Sequence, residues 1–210
     1  MLKKLFKINH GERVPTLILF LYFFAYVAIS ITGSAARDAY FLNMVDRKYL
    51  PLMFLAVAVV LTIVIEIYSR LSKNKDISTI VTGTGIIFVI TLLVIQNQLK
   101  GWVIPFLYVW KDVIDAIIIT QFWLIASQVF DPRQAKRLFG LLGAGWALAA
   151  IIIGSSIKQF VSAFGSENLL FATMSFLFVV IIMANLIRPY KNVNDQKNQK
   201  KDADKDTNKS

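Results

Sequence analysis

The chain has 210 residues, of which 56% are hydrophobic, and its formal net charge at pH 7 is +10. It contains no cysteine and a single histidine, His10. This excludes disulfides and cysteine nucleophiles, and it argues against zinc and bis-histidine haem sites. The composition indicates a membrane protein whose basic residues lie in loops and tails, rather than a nucleic-acid-binding protein. We predict no metal and no other cofactor.

Six apolar segments follow one another along the chain. Each has about 19 residues or more, close to the length that a membrane-spanning helix requires. The runs are continuous rather than alternating, which favours helices over the strands of a membrane barrel. The first segment exceeds the apolar core of a signal peptide, so we interpret it as a retained helix. The approximate bounds are Val14 to Ser34, Tyr49 to Ser69, Ile77 to Ile95, Trp102 to Phe130, Leu138 to Ile157, and Leu169 to Ile187.

The distribution of Lys and Arg predicts the orientation. With the N-terminus inside, basic residues collect on the inner side before segment one, after segments two and four, and beyond segment six. The outer side holds fewer, namely Arg37, Arg47, Lys48, Lys100 and Lys158. By the positive-inside rule, both termini are predicted to be cytoplasmic.

Composition also divides the chain into three regions. Residues 1–13 form a basic segment that is either an amphipathic helix on the inner leaflet or a disordered leader. Residues 14–188 hold the six-helix transmembrane domain. Residues 189–210 contain almost no apolar side chains and are predicted to be a disordered cytoplasmic tail.

The fifth segment carries a helix-start signal and a pattern of small residues. Asp131 is a candidate N-cap, and Pro132 suits the first helical position. Small residues four positions apart then predict close packing against a neighbouring helix. They are Gly140 with Ala144 and Gly143 with Ala147.

The fourth segment carries three ionisable residues within an apolar run: Lys111, Asp112 and Asp115. At 100° per residue, these three and Tyr108 occupy about one third of the helix surface. A charge at the bilayer centre costs at least about 2.5–3.5 kcal/mol on insertion scales, so the stripe should face protein or a water-filled cavity. Either the stripe binds a solute, with an Asp able to carry a coupling proton, or Lys111 and Asp115 only neutralise each other.

The first segment carries a second polar stripe at three- and four-residue spacing. Its members are Tyr26, Ser30, Gly33, Ser34 and Arg37, with Asp38 directly after. The two stripes are candidates to line one cavity. The alternative places Arg37 and Asp38 in the outer headgroup layer, and the sequence alone does not assure a contact between Arg37 and Lys111.

Two runs resemble a known family. TQFWLIASQVFDPRQAKRLFGLLGAGWALAAIIIG resembles the region of segments four and five in the nucleotide (ATP/ADP) translocases of plastids and intracellular bacteria and in their major-facilitator-like bacterial relatives. GSAARDAYFL resembles the exit of that family's first helix. The resemblance implies a major-facilitator-like half bundle whose first and fourth helices line the central path. It also implies cationic residues that bind nucleotide phosphates, and Arg37 and Lys111 are the positions able to do so.

Two departures from the family are visible. Tyr108-Val109-Trp110 stands where the translocases have Glu-Leu-Trp, so an acidic position is missing. A full carrier has twelve helices in two halves, and this chain has six segments. The resemblance therefore implies that a second copy or another chain supplies the other half, or that transport was lost.

We therefore predict an all-α membrane protein with six transmembrane helices in a major-facilitator-like half bundle, as a multi-pass protein of the bacterial inner membrane. The predicted function is a half-size secondary transporter subunit for an anionic solute such as a nucleotide, acting by alternating access as a homodimer or with a second half. The predicted partners are membrane lipids and this solute, without nucleic acid. The predicted substrate-binding residues are Arg37, Lys111, Asp112, Asp115, Tyr108, Tyr26 and Ser30.

A non-transporting membrane scaffold or assembly protein is the alternative function. In that case the ion pair of Lys111 and Asp115 would act as an internal clamp. An enzyme is not predicted, because no nucleophile–base arrangement and no metal cluster is visible in the sequence.

Overall fold

A computed structural model of the protein describes residues 13–72, 75–99, 101–130 and 132–190, without the side chains of 132–139, 141 and 167. All regular structure in these residues is helical, with no strand. Six α-helices and two short 3₁₀ helices follow in chain order. They are α1 (Arg13–Met44), a 3₁₀ helix (Arg47–Tyr49), α2 (Leu50–Ser72), α3 (Ile77–Asn97), α4 (Val103–Val129), α5 (Pro132–Phe164), a 3₁₀ helix (Ser166–Asn168) and α6 (Leu169–Leu186).

The two terminal regions predicted from composition lie mostly outside the described residues. This holds for residues 1–12 of the basic segment and for residues 191–210 of the tail. Pro189 and Tyr190 are described and form a helical turn after α6. The predicted N-cap of α5, Asp131, also lies outside the described residues.

Five helical stretches are long and apolar enough to cross a membrane. They are Arg13–Met44, Arg47–Ser72, Ile77–Asn97, Leu142–Phe164 and Leu169–Tyr190. Among the six described α-helices, α4 is the one outside this group; it has 27 residues and carries Lys111, Asp112 and Asp115. Several long apolar helices fit the predicted multi-pass integral membrane protein.

Helix bounds differ from the apolar segments in an informative way. Helix α1 continues past Ser34 to Met44, because no Gly or Pro interrupts the residues that follow. Arg37 therefore lies within a helix. Helix α5 begins at Pro132, as predicted, and ends before Gly165, whose φ of 84° suits glycine.

The packing of the helices has an internal symmetry. Helix α1 packs against α4, α5 and α6, while α4 packs against α1, α2 and α3, and α3 also contacts α6. If helices α1, α2 and α3 exchange places with α4, α5 and α6, respectively, the same main contacts result. The contact between α1 and α5 then corresponds to the contact between α4 and α2. The contact between α1 and α6 corresponds to the contact between α4 and α3. The main contacts among the described helices are therefore pseudo-symmetric between α1–α3 and α4–α6.

Helices α2 and α5 form the flanks of the bundle. Helices α1, α4, α3 and α6 form a closed group of four, with α5 attached to α1 and α2 attached to α4. Only 6% of the apolar stretch of each flanking helix is buried. Both therefore present long apolar surfaces outward, and such surfaces suit lipid or another apolar protein surface.

The predicted close packing through Gly140 and Gly143 is wrong within this chain. Both glycines are exposed, with open space where a side chain would begin. The close approach of α5 to α1 occurs at Gly145, where an added methyl group would overlap the ring of Phe20. Spacing of small residues identifies helices that can approach closely, but the rotation of α5 about its axis decides which glycine is used.

The contact between α3 and α6 at Gly85 gives a direct test of the packing. A methyl group at Gly85 would overlap the side chain of Ile181, whereas Gly83, two residues earlier on the same helix, has open space around it. We expect Gly85→Leu to lower the free energy of unfolding by about 1–3 kcal/mol through overpacking. Gly83→Leu, the matched control, should be neutral or stabilising, because Leu is the better helix former. Thermal unfolding in detergent, followed by circular dichroism, measures the difference. Equal losses of stability in both variants would contradict the described α3–α6 contact.

Candidate functional site

The polar stripes of α1 and α4 lie against each other. Arg37 Nη1 on α1 is 2.8 Å from Asp112 Oδ1 on α4, and Ser30 Oγ donates to Asp115 Oδ2 at 2.8 Å. Arg37 follows Ser30 in α1, whereas its partner Asp112 precedes Asp115 in α4. This order of contacts is that of antiparallel helices. Side chains from both stripes therefore form one charged network, to which Arg37, Asp38, Lys111, Asp112 and Asp115 contribute the charges.

Lys111 is the most deeply buried member of this charged network, with 5% of the residue exposed. Its Nζ donates to Asp115 Oδ2 at 2.7 Å and to Ser34 Oγ, and it lies 3.8 Å from Asp112 Oδ1. The aliphatic part of the side chain passes Gly33, where an added methyl group would lie 3.4 Å from Lys111 Cε. The small residue leaves room for the lysine between the two helices.

Arg37 is held by two carboxylates and one aromatic ring. Its Nε lies 2.9 Å from Asp38 Oδ1, and its Nη1 pairs with Asp112. The guanidinium carbon lies 4.3 Å from the ring centroid of Tyr108, a distance typical of a cation–π contact. The contact of Arg37 with Asp38, expected from their adjacency, is thus joined by contacts with Asp112 and Tyr108 of α4. Arg37 joins α1 to α4.

Asp112 links the two cations, since the structure gives no direct contact between Arg37 and Lys111. Its Oδ1 lies 2.8 Å from Arg37 Nη1 and 3.8 Å from Lys111 Nζ. With Asp115 as the second carboxylate, the inner part of the charged network holds two positive and two negative groups. It is electrically neutral when all four are ionised, and Asp38 adds one negative charge at its edge.

The charged network is closed on one side and open on the other. The exposed fraction of the side chain rises from 6% at Lys111 to 15% at Arg37, 18% at Asp115, 25% at Asp112 and 49% at Asp38. Ionised groups that face acyl chains are costly, so the open side requires water or a polar protein surface against it. This property distinguishes the site from an ion pair sealed within a core.

Asp115 has one satisfied and one unsatisfied oxygen. Its Oδ2 accepts from both Lys111 and Ser30, whereas its buried Oδ1 has no hydrogen-bond partner among the described residues. Tyr26, another predicted site residue, lies one helical turn before Ser30 on α1 and packs its ring on Phe23 at 5.8 Å between centroids. All seven predicted site residues thus lie in or beside the charged network.

Helix α6 packs against α1 beside the charged network. Thr32 Oγ1 of α1 and Thr173 Oγ1 of α6 are 2.9 Å apart and share a hydrogen bond, with both residues buried. The methyl carbon of Thr173 also lies near Gly33. Sequence reasoning missed this pair, because threonines occur throughout the apolar segments without a distinguishing pattern.

Two further polar contacts were missed, and both join α3 to α4. Gln121 Nε2 donates to Thr84 Oγ1 at 2.7 Å, and Trp110 Nε1 donates to Thr91 Oγ1 at 2.9 Å. Gln121 is 1% exposed. A glutamine within an apolar segment was the available signal, since such side chains usually bond across helices. These contacts hold α4 against α3.

Comparison of the chain with models of protein families, with curated protein sequences and with solved structures gave no match. The resemblance to nucleotide translocases therefore remains a prediction from the quoted residues.

The buried pair of Lys111 and Asp115 should contribute far more to stability than an exposed pair of equal spacing. Lys111→Met leaves the partly buried carboxylate of Asp115 without its cation, and the expected loss in free energy of unfolding is up to about 3–5 kcal/mol. The matched control is Arg70→Met, which breaks the pair with Glu66 on α2, where the side chains are 78% and 62% exposed. That change should cost less than about 1 kcal/mol. Unfolding in detergent measures both, and losses of similar size would contradict the burial of Lys111.

Proposed function

We propose that this chain is a half-size subunit of a secondary transporter for an anionic solute such as a nucleotide. A second copy of the chain, or another six-helix chain, supplies the other half. Alternating access then arises when one half rocks against the other around the charged network. The observation that carries the proposal is a charged network that is buried at Lys111 and open at Asp38.

The helix packing supports the carrier proposal. An arrangement that is unchanged by exchange of α1–α3 with α4–α6 matches the three-plus-three repeats found within each half of major-facilitator carriers. In this chain the charged network lies on α1 and α4, which are equivalent under that exchange. Sites for solutes and coupling ions in such carriers lie at the interface between repeats.

The chemistry of the cations supports an anionic solute. Arg37 presents a planar guanidinium suited to paired hydrogen bonds with phosphate oxygens, and Lys111 presents a point charge. The ring of Tyr108 lies 4.3 Å from the guanidinium carbon of Arg37 and adds a cation–π contact to it. The predicted roles are therefore phosphate binding by Arg37 and Lys111, and release of these cations from their carboxylates when the solute arrives.

A second function is favoured by one observation. Each of the two cations already has a carboxylate partner within the chain, so the charged network holds together without a solute. A membrane scaffold requires only that the charges of the network neutralise one another. Its contacts with a partner would then use the exposed apolar faces of α2 and α5.

Uptake of labelled ATP and ADP into proteoliposomes tests the carrier proposal. The wild-type protein is expected to accumulate label above protein-free vesicles. Lys111→Ala should reduce uptake by about tenfold or more, because charged hydrogen bonds to the phosphates are lost. Arg70→Ala, which removes an exposed basic residue on α2, should retain uptake. Absence of uptake by folded wild-type protein contradicts a nucleotide carrier built from two copies of this chain.

Exchange of Lys111 and Asp115 separates a network that binds the solute from an internal clamp. The double variant Lys111→Asp with Asp115→Lys keeps the ion pair and its spacing but moves each charge by one helical turn. A carrier should lose solute uptake while its melting temperature stays near that of the wild type. If uptake and stability both persist in this variant, the charged network is a clamp and does not bind the solute.

A further inference from the structure

The guanidinium of Arg37 has more N–H donors than its carboxylate partners use. Its Nε donates to Asp38 Oδ1 at 2.9 Å, and its Nη1 donates to Asp112 Oδ1 at 2.8 Å. Among the described residues, Nη2 has no hydrogen-bond partner. Nη2 is also not one of the polar atoms that are sealed from solvent without a partner. Arg37 therefore keeps an accessible donor for an anion while both carboxylates stay bound.

Three contacts fix the direction of this free donor. Asp112 and the ring of Tyr108 hold the guanidinium from α4, and Asp38 holds it from α1. The guanidinium is a rigid planar fork, so a single hydrogen bond in its plane lets it turn about that bond, whereas two such bonds prevent the turn. The bond between Asp38 and Nε therefore decides which edge of Arg37 remains for a solute.

Asp38 differs from the other carboxylates of the charged network in its position and exposure. Its side chain is 49% exposed, about twice the exposed fraction of Asp112. Adjacent residues of a helix point about 100° apart, so the contact requires that the side chain of Arg37 turn toward Asp38. An ion pair with a half-exposed partner contributes little to stability. The main effect expected of Asp38 is therefore on the direction of the guanidinium rather than on the stability of the fold.

We propose that Asp38 is a positioning residue for anion binding. It holds Nε of Arg37 so that Nη2 is presented to a phosphate oxygen of the solute, and it does not itself contact the solute. This inference rests on the proposed function and adds to it a role for a residue outside the predicted set of substrate-binding residues. Arg37 then makes the first contact with the anion before either of its carboxylates is released.

Two variants separate the hydrogen bond of Asp38 from its charge. Asp38→Asn keeps an acceptor oxygen for Nε and removes the negative charge, whereas Asp38→Ala removes both. Equilibrium binding of labelled ADP to the full chain in detergent measures the affinities. Asp38→Asn should bind ADP at least as tightly as the wild type, because a negative charge near the anion is gone. Asp38→Ala should bind ADP about tenfold more weakly than Asp38→Asn, because the hydrogen bond that directs the guanidinium is lost at equal charge.

The same two variants in an Arg37→Lys background test whether Asp38 acts through the guanidinium. Lysine keeps the positive charge but has neither Nε nor a planar fork. The difference in ADP affinity between Asp38→Asn and Asp38→Ala should therefore fall below about twofold in this background. A complete loss of ADP binding in Arg37→Lys would also support the proposal, because it would show that the fork and not the charge alone binds the anion.

Asp46 provides the matched control. It lies shortly after α1, is exposed, and pairs with Lys48 at 3.1 Å. Asp46→Asn and Asp46→Ala remove the same charge and the same kind of acceptor, and each should change the ADP affinity by less than about twofold. Thermal unfolding of every variant identifies those that are folded, and both variants of Asp38 should melt close to the wild type.

The outcomes separate the two proposals. Equal ADP affinities of folded Asp38→Asn and Asp38→Ala overturn the positioning role and leave the proposed function standing. A difference between them that persists undiminished in the Arg37→Lys background overturns the action through Arg37. Absence of ADP binding by folded wild-type protein contradicts a nucleotide carrier built from two copies of this chain and overturns the positioning role with it.

Discussion

The central constraint on this protein is that ionised side chains within an apolar bundle must be neutralised by partners on the same helix or on a neighbouring one. Arg37 and Asp112 meet this requirement across α1 and α4, while Lys111 and Asp115 meet it along α4. Because each charge depends on a partner, the rotation of both helices about their axes is restricted. The positions of Tyr108, Ser30 and the open side of the network follow from that restriction.

The rest of the bundle supports the charged pair of helices. Helix α6 packs behind them through the hydrogen bond between Thr32 and Thr173, and α3 holds α4 through Gln121 and Trp110. Helices α2 and α5 remain at the flanks with their apolar surfaces outward. The described helices thus hold a partly exposed charged network on α1 and α4, with the exposed apolar surfaces of α2 and α5 at the flanks.

Sequence reasoning predicted the parts of this arrangement that depend on one helix at a time. Residues at three- and four-residue spacing share a helix face, so the stripes containing Lys111 and Arg37 could be identified. Contacts between helices could not, because their register depends on packing that spacing does not determine. The same limit explains why Gly140 was selected as a packing position when Gly145 makes the close contact. The length of α1 was underestimated because hydropathy falls at Ser34 while the helix continues.

The most direct test asks whether the open side of the network is in contact with water. The chain contains no cysteine, so single cysteines can be introduced without a background thiol. Ser30→Cys places a thiol on the charged side of α1, and Ile90→Cys places one on an apolar face of α3 that is 54% exposed. A charged, membrane-impermeant thiol reagent applied to the protein in lipid vesicles should label Cys at position 30 and leave position 90 unmodified. Labelling at position 90 with none at position 30 would mean that the charged stripe does not face a hydrated space.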